Sequence, residues 1–143
     1  MKLWFNLLCR DVEAQMAFYA RLLGWPEAVH SRSPIYRALE HEGVQFGFNA
    51  APAYALLGLA DRAPDAATTP PVMAYATFML DTPEAVDAAV REATAAGGRV
   101  LKAPYATYYG QWQAVLSDPE AHVFRVAAAT LPAGIAPAPR PRE

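Results

Sequence analysis

Two stretches of this chain follow the same order of apolar and polar positions. Residues 3–9, LWFNLLC, form a mostly apolar run of strand length, and Asp11 then offers a short polar cap. VEAQMAFYARLLG follows with helical spacing, placing Val12, Met16, Tyr19 and Leu23 on one stripe that Gly24 ends. Residues 73–80, MAYATFML, open the second copy. There Asp81 or Thr82 caps a helix with Pro83 in its first turn, a stripe of Val86, Ala89, Val90 and Ala93, and Gly97–Gly98 at its end.

Each helix is followed by strand-like segments. In the first half, 33–42 and 44–50 flank Gly43 as a tight hairpin; in the second, 99–105, 110–117 and 121–127 are separated by a Pro and Tyr segment and by the DPEA turn. Both halves read βαβββ. The pattern predicts an α+β fold of two modules, 1–50 and 72–130, whose mixed sheets pair and curve around a cleft within one domain, 1–130. A linker over 51–71 has a YALLGL core that suits a short helix, and the prolines at 132, 137, 139 and 141 predict a disordered tail over 131–143.

Strand alternation sorts side chains between the helix-covered face and the other. It places Phe5, Leu7, Cys9, Phe46 and Phe48 under the first helix, and Ala76, Phe78, Leu80, Phe124 and Val126 under the second. Trp4, Asn6, Gln45 and Asn49 fall on the opposite face of the first sheet; Tyr75, Thr77 and Arg125 fall on that of the second. Such faces are too polar for a sheet-on-sheet core, where an unpaired polar group costs about 1–3 kcal/mol, and they suit a pocket with a few polar anchors.

Composition removes other classes. At 143 residues the chain is long enough to bury a core without disulfide or metal, and 54% hydrophobic against 18% charged residues argues against disorder. A formal net charge of -2 with no Lys/Arg run lacks the footprint of a nucleic-acid binder, and no apolar run approaches membrane-spanning length. The KLWFNLL run is ended by Arg10 and Asp11 before a signal-peptide core is complete, and Cys9, the single cysteine, reads as a buried thiol; a cytoplasmic protein is expected. No GxSxG or P-loop pattern occurs. His30, His41 and His122 read as loop or surface residues, and Glu40 with Glu42 as a solvated pair on one face of a strand.

RDVEAQMAFYARLLGW, FGFNA, LDTPEAVDAAVREATAAGGRV and AVLSDPEAHVFRV together resemble the glyoxalase, bleomycin-resistance and extradiol dioxygenase superfamily, also called the vicinal oxygen chelate superfamily. The likeness runs over residues 3–127. It implies paired modules, a homodimer, and a cleft that holds a divalent metal or a small molecule. The superfamily's four metal-ligand positions fall at Trp4, Gln45, Tyr75 and Arg125, none an ordinary ligand, and a guanidinium repels a divalent cation. The expectation is therefore no metal cofactor and a small-molecule ligand, with no nucleic-acid or membrane partner. Trp4, Tyr75, Tyr109 and Trp112 would stack on that ligand. Asn6, Gln45, Asn49 and Arg125 would orient it, and Thr77 shares the face. Two alternatives stand beside this reading: Arg125 pairs with Glu40 or meets solvent, and the rings at 105, 108, 109 and 112 belong to a core or dimer interface. An enzyme of the same fold, with a metal or with Arg125 and a tyrosine polarising a carbonyl, is the alternative function.

Overall fold

The structure, a computed structural model, describes residues 1–142. It divides into two compact units, Met1–Pro70 and Pro71–Glu143.

In the first unit, β1 (Leu3–Leu8) runs parallel to β3 (Val44–Asn49), which pairs antiparallel with β2 (Tyr36–His41), giving the order β1-β3-β2. Between β1 and β2 lies α1 (Val12–Leu23). The Asp11 carboxylate accepts from Ala14 N–H at 2.9 Å and caps its first turn; Gly24, at φ 68°, closes its last with an N–H to Ala20 O. The buried face is Gln15, Phe18 and Tyr19, not the predicted stripe of Val12, Met16, Tyr19 and Leu23, of which only Tyr19 is buried. Turning the helix this way buries two rings side by side. Tyr19 meets Phe46 edge-on at 4.8 Å and stacks on Phe48 at 5.6 Å.

The hairpin at Gly43 forms as expected, with Glu42 and Gly43 both at positive φ, 47° and 81°. Glu42 therefore lies in the turn beyond β2 and shares no strand face with Glu40. The first module also falls one strand short of βαβββ. Between α1 and β2 the chain makes isolated bridges and no further strand: Glu27 to Leu39, flanked by Ala28 N–H to Ala38 O and Glu40 N–H to Pro26 O, and Ser33 to Tyr36. Pro26 has no N–H to extend that ladder. The short linker helix, α2 (Pro52–Leu56), starts two residues before the YALLGL segment because Pro52 suits its first turn.

The second unit carries the full βαβββ pattern. Its strands, β4 (Ala76–Leu80), β5 (Arg99–Ala106), β6 (Trp112–Ser117) and β7 (Val123–Ala128), lie in the order β4-β7-β6-β5, with β4 parallel to β7 and the other pairs antiparallel. Helix α3 (Pro83–Ala95) is capped by Thr82, whose hydroxyl accepts from Ala85 N–H at 3.1 Å. It buries Pro83, Val86, Ala89 and Ala93, which matches the predicted stripe except that Val90 is only half-buried. The DPEA turn is closed by Asp118, a buried carboxylate that accepts from Glu120 N–H and His122 N–H at 2.9 and 3.1 Å. In the tail, Ala138 N–H donates to Thr107 O at 3.2 Å.

Candidate functional site

Strand register fixes which side chains share the face turned away from each helix. On the first sheet, Trp4, Gln45 and Glu40 form one row; Asn6, Gly47 and Ala38 the next; Leu8, Asn49 and Tyr36 the third. Trp4 is about half exposed, whereas Gln45 is fully buried. The Tyr36 hydroxyl donates to Asn6 Oδ1 at 2.9 Å and accepts from Gln45 Nε2 at 3.1 Å. Gln45 Nε2 also donates to Ser31 Oγ at 3.2 Å. Gly47 permits this, because a Cβ there would collide with both Asn6 Oδ1 and the Tyr36 hydroxyl. Asn6 and Gln45 are thus committed to an internal network. Asn49 contributes its carbonyl to Cys9, accepting from the amide at 2.8 Å and from Sγ at 3.5 Å.

Tyr36, the centre of this network, was not among the predicted site residues; its parity with Ala38 and Glu40, opposite buried Leu39, is the signal that marks it. Glu40, two rows from Tyr36 and in the row of Trp4 and Gln45, receives Lys2 Nζ at 2.7 Å, and that hydrogen bond holds its carboxyl below the ordinary carboxylate range despite some desolvation.

On the second sheet, the face turned away from α3 carries the row Thr77, Arg125, Val115, Lys102 and the row Met79, Ala127, Gln113, Tyr105. Arg125 Nε donates to Thr77 Oγ1 at 3.0 Å, and the guanidinium carbon lies 4.8 Å from the centre of the half-exposed Tyr75 ring. Glu40 is bound to Lys2 within the first unit, and among the described residues of the second unit no carboxylate reaches Arg125. Lys102 Nζ sits 3.7 Å above the Tyr105 ring. Tyr109, on the β5–β6 turn, donates its hydroxyl to Gln113 Oε1 at 3.0 Å.

Trp112 does not share that face. Its register partner is Ala128, on the side of Phe124 and Val126, and its Nε1–H donates to Asp87 Oδ1 on α3 at 2.9 Å. A half-buried indole N–H still seeks an acceptor, and Asp87 supplies it from the helix. The structure therefore brings Tyr75, Thr77, Arg125 and Tyr109 to one face and leaves Trp112 on the other.

A contrast within the molecule sharpens the charge at Arg125. On the helix side of the first sheet, a recess of about 450 Å³ is lined by Val12, Glu13, Arg32, Ser33, Pro34 and Arg37. Both of its arginines are neutralised, Arg32 by Glu27 at 2.7 Å, and Arg37 by Glu27 at 2.6 Å and Glu13 at 3.0 Å. Hydrogen bonds from Arg32 and then Arg37 pull the Glu27 carboxyl down to about 2, and the same contact raises Arg37. At Arg125 the described residues supply a hydroxyl and a ring but no negative charge.

The residues at the positions that the resemblance assigns to the superfamily's metal are not ordinary metal ligands. Trp4 and Gln45 are cross-strand neighbours, and Arg125 lies over Tyr75, so the corresponding positions offer an indole, an amide, a phenol and a guanidinium. His30 faces Glu40 at 3.6 Å, His41 stacks on Trp25 at 5.3 Å, and His122 Nδ1 meets Asp118 at 3.0 Å. Among the described residues no three of His, Cys, Asp or Glu gather closely enough to hold a metal ion. None of the helices there is long and apolar enough to cross a membrane.

Comparison with known proteins places this architecture. A family model for a glyoxalase-like domain matches residues 3–127. A glyoxalase/bleomycin resistance protein/dioxygenase family enzyme from Burkholderia phytofirmans PsJN is 43% identical, over 88% of this chain and 96% of that one, with a TM-score of 0.81. A glyoxalase-related enzyme from Fulvimarina pelagi (21% identity, 90% and 87% covered, TM-score 0.70) and a lactoylglutathione lyase from Agrobacterium tumefaciens (16%, 90% and 92%, 0.62) share the fold. No curated protein matches. The family match and the sheet order agree: the chain belongs to the glyoxalase-like domain family of the vicinal oxygen chelate superfamily.

Proposed function

We propose that the protein binds a small aromatic or otherwise apolar organic anion, and that Arg125 is its anchor. The observation that carries this reading is a half-buried arginine with no carboxylate partner among the described residues. Desolvating a guanidinium without a counter-charge is costly, and an anionic ligand offsets that cost. With Nε engaged by Thr77, the two Nη groups remain as a fork suited to a carboxylate or phosphate. Tyr75 supplies a flat ring beside that fork.

A second reading is an enzyme that uses Arg125 and a tyrosine to polarise a carbonyl; the 43% identity to a protein described as a family enzyme favours it. In both, the protein works without a bound metal, as a cytoplasmic homodimer. Thermal-shift screening against aromatic carboxylates should give stabilisation that Arg125→Ala abolishes; unchanged shifts in that variant refute the anchor. Near-stoichiometric Fe, Mn, Ni or Zn in untagged protein would refute the metal-free reading.

A further inference from the structure

Hydrogen bonds near Arg125 run in one direction and end on a phenol. Tyr109 O–H donates to Gln113 Oε1, and Gln113 Nε2 donates in turn to the Tyr105 hydroxyl oxygen. Gln113 is only 2% exposed, so its amide takes its partners from these two rings. A phenol that accepts through its oxygen keeps its own O–H to give away, and among the described residues no acceptor takes it. Tyr105 is half-buried under the Lys102 ammonium, which adds positive charge beside it.

Tyr105 and Arg125 lie on the same sheet face in adjacent like-facing rows, two strands apart. With strands about 4.8 Å apart and about 3.4 Å per residue, their Cα atoms stand roughly 12 Å from each other. Two long side chains rising from that spacing can frame a ligand one aromatic ring across.

We propose that Tyr105 is the specificity-determining hydrogen-bond donor of this site, and that the ligand is an organic anion with a neutral oxygen acceptor, such as a ketone, ester or amide carbonyl, at the end remote from its charge. This rests on the anion-anchor reading of Arg125 and adds the second recognition point.

The test compares two probes of nearly equal shape, 4-acetylbenzoate and 4-isopropylbenzoate, by calorimetry on the full chain. Wild type should bind the acetyl compound about 5–10-fold more tightly, the usual worth of one hydrogen bond. Tyr105→Phe, which keeps the ring under Lys102, should bind both equally and at the wild-type affinity for the isopropyl compound. A preference that persists in Tyr105→Phe overturns the assignment. So does wild-type binding without preference, which would mean that the Gln113 amide runs the other way and consumes the Tyr105 proton. Arg125→Ala should lose both probes. If neither acid binds wild type, or if Arg125→Ala binds both normally, the anchor reading itself fails and the donor assignment falls with it.

Discussion

The hydroxyl of Tyr36 lies directly over Gly47, in the space a Cβ would fill. Gly47 needs no unusual backbone conformation there, since its φ is outside the left-handed region, so the requirement is purely for room. Gly47→Ala should push Tyr36 and Asn6 aside and cost about 1–3 kcal/mol, the range for overpacking a well-filled site. Denaturant melts would register the loss, and an unchanged midpoint would show that the network yields freely.

Thr77 bears on the anchor through Arg125. Thr77→Val keeps the shape of the side chain but removes the acceptor for Arg125 Nε. The guanidinium should then sample more orientations, and affinity for benzoate-type acids should fall about 3–10-fold, equivalent to part or all of one hydrogen bond. Calorimetric titration of the variant measures this directly. Affinity equal to wild type would mean that Thr77 does not orient the fork.

Trp112 and Asp87 give the opposite expectation. Their hydrogen bond joins β6 to α3 on the face away from Arg125. Trp112→Phe should lower stability by about 1 kcal/mol and leave binding of aromatic acids intact. Thermal melts and titrations on one preparation separate the two effects, and a selective loss of binding would return Trp112 to the ligand site.

Acid sensitivity should concentrate at Glu27. Its carboxyl is held at about 2 in the folded chain against an ordinary value of 4.5, through hydrogen bonds from Arg32 and Arg37. The unfolded state therefore takes up this proton first as pH falls. The stabilisation is complete above pH 4.5 and is lost progressively from there down to about 2. Glu27→Gln should destabilise the protein at neutral pH and flatten that acid limb in melting temperature against pH.

Much of this arrangement is legible in the order of residues. Period-two alternation, once tied to a helix on one side, puts Trp4, Asn6, Gln45, Thr77 and Arg125 on the faces turned away from the helices, because register carries parity from strand to strand. Trp112 escapes for a local reason. Its companions in GQWQAVLS, Ala114 and Leu116, are fully buried under α3, and that company marks the helix side more reliably than the ring chemistry of Trp112 itself. The α1 stripe is misjudged by part of a turn because spacing alone cannot decide between Val12 and Phe18; the larger buried ring decides it. Hydrogen-bond direction through Gln45 and Gln113 is beyond the reach of a pattern, since it depends on which tyrosine each amide meets.

Pro26 gives the first sheet a protected margin. Beyond β2 the next segment pairs only through isolated bridges, and at the Glu27–Leu39 bridge the adjacent Pro26 nitrogen cannot donate. A foreign strand arriving at that border finds no continuous template, so fibril-like growth stalls where the ladder is already broken.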